Sequence, residues 1–275
     1  TLHYMHDFIH LHVHTYYSDD SKYPMEEVVK DAIKLKIDEI CFTDHVDYGI
    51  KNDVNDPVKT PCQNVDYEKY FKEIEYLKQK YPDISIKKGL EFGIQRHTAD
   101  KFDKLFNRYP LDFVILSCHQ TDDKEFWTQD YQKGKSQKEY NLGYYNEIYE
   151  VMKVYKNYSV LGHLDHIVRY DECGVYPFLE IKDIVTKILK LAIEDNKGIE
   201  INTSSVRYGL KDTTPSKDII KLYRDLGGKI ITIGSDSHKK EHLGAYIDET
   251  KTMLKDMGFE YLCIFKQMKP EFIEL

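Results

Sequence analysis

Histidines and acidic residues recur at the ends of β-rich runs in this chain, and their types and spacing could build a metal centre. His12 and His14 close "FIHLHVH", His45 follows "EICFT", and Glu91 stands at the end of "ISIKKGLEF". His119 follows "DFVILSC", His163 follows "YSVLG", and Asp236 and His238 stand in "GSDSH" after "KIITIG". A lone histidine is more often a satisfied surface or core residue than a ligand. So many ligand types in one recurrent position point to a shared purpose. His12 and His14 are two apart on a strand pattern, so both rings point to one face, as two ligands of one ion must. Asp236 and His238 repeat that spacing. Imidazole and carboxylate without thiolate suit zinc, manganese or iron rather than a closed structural zinc site. The set exceeds what one ion needs, so two or three divalent ions sharing a bridging carboxylate or hydroxide are expected.

Such residues need a scaffold that gathers strand ends. Strand patterns lie at 8–14, 39–43, 84–92, 112–118, 159–162, 198–203, 229–234 and 261–265, most of them dense in Val, Ile and Phe. Helical patterns lie between them at 24–36, 66–81, 181–198 and 214–228. The first opens on Pro24 and runs from acids to lysines, as the helix dipole favours. The last opens with a Thr214 cap and closes on Gly227 and Gly228. This alternation predicts an α/β fold with a parallel sheet closed into a barrel, whose carboxyl strand ends converge on one face. No internal repeat or linker interrupts it, so 1–275 is expected to be a single domain. The connections 46–65 and 119–138 exceed ordinary loop lengths and are expected to be lids or substrate-binding segments. Tyr48 and Trp127 on them stand where an aromatic ring could stack on a substrate, but are expected rather to pack the loops.

Composition narrows the function. The 275 residues carry a formal net charge of −8, which argues against a nonspecific nucleic-acid binder. The five cysteines are scattered with no C-x-x-C pair, as in reduced thiols of a cytosolic protein. No apolar run approaches the ~20 residues of a membrane helix. The opening "TLHYMHDF" lacks the basic and apolar regions of a secretion signal, so a cytoplasmic protein is expected. The 23 tyrosines are expected to fill amphipathic positions.

The motifs "HLHVHTYYSDDS", "CFTDH", "KKGLEFG", "SCHQ", "GHLDH" and "GSDSH", in that order over residues 10–238, resemble the polymerase-and-histidinol-phosphatase (PHP) superfamily. Within it the chain looks most similar to the stand-alone histidinol-phosphate phosphatases, through "EICFTDH", the "GLE" strand, "LGHLD" and "EINT". The resemblance implies a distorted (β/α)7 barrel with a trinuclear metal centre at the carboxyl ends of the strands. It implies that His12 and His14 hold the first ion with Asp236, and that Glu91 bridges. His119 and His163 then match ligands of the second ion. His45 and His238 match ligands of the third, joined by Asp20 or its neighbour Asp19. One departure stands out: His10 occupies a position where the family usually carries Asp.

The activity so implied is hydrolysis of a small-molecule phosphate monoester, L-histidinol phosphate, to L-histidinol and phosphate in histidine biosynthesis. The attacking hydroxide would bridge metals held by Glu91, Asp236, His12 and His14. Arg169 and Arg207 follow strand ends on the same face, and guanidinium suits a bidentate grip on phosphate. Asp165 could orient His163 or cap a helix. His3, His6, His97 and His242 read as surface residues, and Cys118 is expected to point into packing. The alternatives are a PHP phosphoesterase acting on phosphotyrosine or nucleotides, and a metal-stabilised binding module without catalysis. An intact ligand set and the lack of a polymerase-like region disfavour the module.

Overall fold

Short apolar runs alternating with amphipathic helices fold here as strands buried on both faces, each returned to the sheet by a helix. The computed structural model describes residues 9–60 and 62–275. Strands β1 (Ile9–Val13), β2 (Glu39–Asp47), β3 (Ser85–Gly93) and β4 (Phe113–Ser117) lie side by side. A small hairpin, β5 (Gln120–Thr121) and β6 (Lys124–Glu125), interrupts the path. The sheet then continues through β7 (Val160–Leu161), β8 (Gly198–Asn202) and β9 (Ile231–Gly234), all seven barrel strands parallel. Its two edges meet: His14 N donates to Ser237 O at 2.8 Å, and Ser237 N donates to His12 O at 3.3 Å. The result is a nearly closed (β/α)7 barrel.

Among the described residues seven helices follow the strands: α1 (Met25–Lys34), α2 (Tyr67–Lys80), α3 (Ala99–Arg108), α4 (Gln137–Val154), α5 (Phe178–Glu194), α6 (Lys217–Asp225) and α7 (Ile247–Asp256). Their apolar stripes pack on the sheet in one continuous core that takes in Tyr70, Tyr144, Tyr145, Tyr155, Tyr158 and Tyr223, each fully buried. Many of the tyrosines thus sit on the inward faces of these elements, while others, such as Tyr16 and Tyr76, are exposed.

Three expectations are corrected. Helices α3, α4 and α7 stand where sequence patterning named none; in α4 the inward positions mix Tyr140, Asn141, Tyr144, Tyr145 and Glu147 with Ile148, Val151 and Met152, and that mixed polarity blurs the apolar period. Helix α6 starts at Lys217, capped by Ser216 Oγ, because the Thr214 carbonyl accepts from Asn202 N at 2.7 Å and keeps that residue on the strand side. The run 261–265 does not extend the barrel sheet. It forms β10 (Tyr261–Lys266), which pairs antiparallel with β11 (Lys269–Glu274). Gln267 N and Met268 N at the hairpin turn donate to Asp112 Oδ1 and O, at 3.0 and 2.9 Å. Cys263, Ile264 and Phe265 thereby pack against Ile9, Leu11, Phe113, Ile115 and Val160, near the amino ends of β1 and β4.

Candidate metal centre

The carboxyl ends of the barrel strands bring together every residue that the sequence reading named as a ligand. In β1 the register with β2 slips by one residue between His10 and Val13, a bulge beside the site. The Nε2 atoms of His12 and His14 end 3.0 Å apart. Both face Asp236 Oδ1, at 3.2 and 3.0 Å, and Glu91 Oε1, at 3.3 Å each. Parallel pairing sets His45 beside Glu91, and His45 Nδ1 lies 3.3 Å from the same Glu91 oxygen. The other oxygen of Glu91 lies 3.3 Å from His119 Nε2 and 3.0 Å from His163 Nε2. One buried carboxylate thus faces two nitrogen groups, one on each oxygen. The ring of His14 is stacked between His45 and His238, with centroids 4.2 Å away on both sides. Asp20 Oδ2 completes that corner, 3.0 Å from His238 Nε2 and 3.5 Å from His45 Nε2. Asp19 turns elsewhere, to Lys51 Nζ at 2.7 Å.

Four donor groups emerge among the described residues: His12, His14, Glu91 and Asp236; Glu91, His119 and His163; His14, His45 and His238; and His45, Asp47 and His119. The buried atoms His45 Nδ1 and Nε2, His238 Nε2 and Asp236 Oδ1 lie close to charged neighbours without meeting hydrogen-bond geometry, and His163 Nδ1 has no hydrogen bond. Unpartnered buried polar atoms are costly, and facing imidazole lone pairs repel unless a cation or proton lies between them. The donor set therefore fits divalent metal. Its protonation follows the same logic. Burial opposes a charge on His14, yet Asp236 and Glu91 outweigh it and lift its pKa to about 10. Burial also opposes His119, and Asp47 and Glu91 raise it to about 10. Burial favours neutral Glu91 and Asp236, but the surrounding histidines hold both well below the carboxylate range.

Around these donors stand orienting groups that sequence reading missed. Glu200 Oε2 engages His12 Nδ1, and Asp47 Oδ1 engages His119 Nδ1 at 2.8 Å. Ser18 Oγ contacts His14 Nδ1 at 3.1 Å and donates to Asp44 Oδ1 at 2.6 Å. Such partners fix ring tautomer and direction. Asp47 had a signal, since it repeats the i, i+2 spacing from His45; Glu200, inside "GIEIN", had none. Two glycines make room. A Cβ on Gly93 would overlap Asp47 Oδ1, and one on Gly234 would overlap the His12 side chain. His163 and Asp236 themselves adopt positive φ, 24° and 54°, a strained backbone that marks functional positions.

A cleft of about 560 Å³ opens over the centre, lined by His45, His119, His163, Asp236 and His238, and also by Arg169, Arg207 and Trp127. Arg169 Nη2 donates to Ser204 Oγ at 2.8 Å, its guanidinium lies 3.7 Å over the Tyr208 ring, and its buried Nε has no partner. Arg207 donates to the carbonyls of Ser235 and Asp236 at 2.8 and 3.0 Å, bracing the turn that carries Asp236. Asp165 resolves as a loop anchor: its Oδ2 accepts from Ser216 N at 2.9 Å. Cys118 packs in the core, as expected. His97 is exposed, whereas His242 lines the cleft, a correction. His3 and His6 lie outside the described residues. Tyr48 is buried in the core. Trp127 is 64 % exposed on the cleft wall, so it does not pack its loop as expected. Buried His10, which contacts Ser235 Oγ, is kept neutral: burial and nearby His12 lower its pKa to about 3.

A barrel of this kind, with clustered histidines around a buried carboxylate at its mouth, defines the class. The chain belongs to the PHP domain family, whose pattern matches residues 10–204. It is 33 % identical to a histidinol-phosphatase of Lactococcus lactis, covering 94 % of each chain, and 30 % identical to a probable histidinol-phosphatase of Thermotoga maritima, covering 93 % of this chain and 95 % of that one. A crystal structure of histidinol phosphate phosphatase from Lactococcus lactis, complexed with zinc, L-histidinol and phosphate, superposes with a TM-score of 0.83 at 30 % identity, covering 96 % of this chain and 98 % of that one. Among the described residues no helix is long and apolar enough to cross a membrane.

Proposed function

We propose that this chain is a metal-dependent phosphatase that hydrolyses L-histidinol phosphate to L-histidinol and inorganic phosphate, with residues 1–275 acting as one barrel domain in the cytoplasm. Five cysteines, all unpaired, agree with a reducing compartment. The observation that carries the reading is that four donor groups, joined through His14, His45, Glu91 and His119, open onto the same cleft as two arginines and an exposed tryptophan. His12, His14, Glu91 and Asp236 hold one divalent cation, Glu91, His119 and His163 a second, and His45, His238 and Asp20 a third where three are present; zinc, manganese and iron all suit these donors. When bound, such cations polarise phosphoryl oxygens and lower the pKa of water to about 7, so that hydroxide is available at neutral pH.

The chain's own residues supply the rest. Arg169 presents an unpartnered Nε–H and a guanidinium held flat by Tyr208 and Ser204, ready to donate to phosphate oxygens. Arg207 keeps the Asp236 turn in place and adds positive charge to the same wall. Trp127 offers a face on which the imidazole of the substrate stacks, and Glu125, which engages Trp127 Nε1, offers a carboxylate to its ammonium. Phosphate release from L-histidinol phosphate tests the reading. Activity should vanish on chelation and return on adding zinc or manganese. Full activity after complete metal removal, verified by elemental analysis, would overturn it.

A further inference from the structure

His166 stands in the cleft with no place in the metal groups and, among the described residues, no protein partner for its ring nitrogens. It lies on a 3₁₀ turn, His166–Tyr170, that follows the His163 strand end. Side chains three apart on such a turn eclipse one another, so His166 and Arg169 share one face, and both line the cleft. The ring is 8 % exposed and is fixed from two sides. It stacks on His163 with centroids 4.1 Å apart, and the Tyr170 ring meets it edge-on at 5.1 Å. Its Nδ1 is buried without a hydrogen bond, and among the described residues none reaches Nε2 either. A polar ring so held beside an arginine, with its hydrogen-bonding capacity unmet by the protein, is suited to meet a ligand.

We propose that His166 is a substrate-binding residue, whose ring donates a hydrogen bond to a phosphoryl oxygen of the ester alongside Arg169. This rests on the reading of the cleft as a phosphate-ester site. The tautomer with its proton on Nε2 supplies the donor, and a ring locked against His163 needs little ordering when the anion arrives. His166 lies outside each of the donor groups, so its role is separate from holding metal.

The test is calorimetric titration of inorganic phosphate into the metal-loaded protein, with metal content measured in parallel. His166→Phe keeps a flat ring for stacking and removes the donor; His166→Gln keeps an amide N–H near the Nε2 position. Phosphate should bind His166→Phe about tenfold or more weakly than wild type, as expected for losing a bond to a charged group. His166→Gln should recover much of that loss, and both variants should retain wild-type metal content. Unchanged phosphate affinity in metal-replete His166→Phe would overturn the proposal and leave the ring as packing. Loss of metal from His166→Phe would also overturn it, showing that the ring acts through His163. If wild type itself bound no phosphate, the phosphate-site reading would fall first, and the proposal with it.

Discussion

Glu91 is the residue on which the centre turns. Its two oxygens face opposite histidine groups, and Ser117 Oγ donates to one of them at 2.7 Å, fixing the carboxylate plane. Less visible residues set the direction of the rings. Asp47→Asn and Glu200→Gln should each lower metal affinity by about 10–100-fold while leaving the fold intact, measured by competition with a chelating dye. Asp20→Ala should deplete the His45–His238 corner, whereas Asp19→Ala, whose carboxylate pairs with Lys51, should not. Protons compete with cations for the same atoms. His14 and His119 have pKa values raised to about 10, so metal-free protein carries these protons at pH 7. Metal uptake must then release them, and apparent affinity should rise with pH between 6 and 9 (about 1.4 kcal/mol per proton released per pH unit). Calorimetry in buffers of different ionisation enthalpy reads that proton count; no proton release would contradict the assignment. The candidate ligands were legible because strand ends announce them. Their orienting partners were not, because a glutamate within an apolar strand looks like any buried polar residue until its neighbour across the barrel is known.

At the scale of elements, the barrel divides its labour between two ends. Bulged, strained and glycine-opened strand ends carry the chemistry, and the β10–β11 hairpin packs near the amino ends of β1 and β4. Phe265 is 3 % exposed, and its ring lies 5.1 Å from that of Phe113. Phe265→Ala should therefore cost about 3–5 kcal/mol in unfolding free energy, read from denaturant melts, with KM little changed in the protein that remains folded. The parallel strands could be read from their Val, Ile and Phe density, and helices α1, α2, α5 and α6 from their apolar periodicity within a few residues. The tyrosine-lined α4 and the hairpin role of 261–265 could not. The first hides its period in amphipathic rings, and the second depends on Asp112, distant in sequence, accepting from the hairpin turn.

At the scale of the whole molecule, an acidic chain concentrates ligands, arginines and one exposed tryptophan in a single cleft. That combination favours a small phosphate ester carrying a cationic, aromatic group over a phosphoprotein or a nucleotide. The 119–138 connection, expected to contribute to substrate binding, places Gln120, Glu125 and Trp127 on the cleft wall; the 46–65 connection contributes Ile50 and Lys51. Both therefore border the cleft. The most direct measurement is the specificity constant of the metal-loaded protein for L-histidinol phosphate beside phosphotyrosine and p-nitrophenyl phosphate. The account predicts ~10⁴ M⁻¹ s⁻¹ or more for histidinol phosphate, with the other two lower by orders of magnitude. Comparable slow turnover of all three would contradict it, leaving a metal phosphoesterase whose cleft does not read the histidinol group.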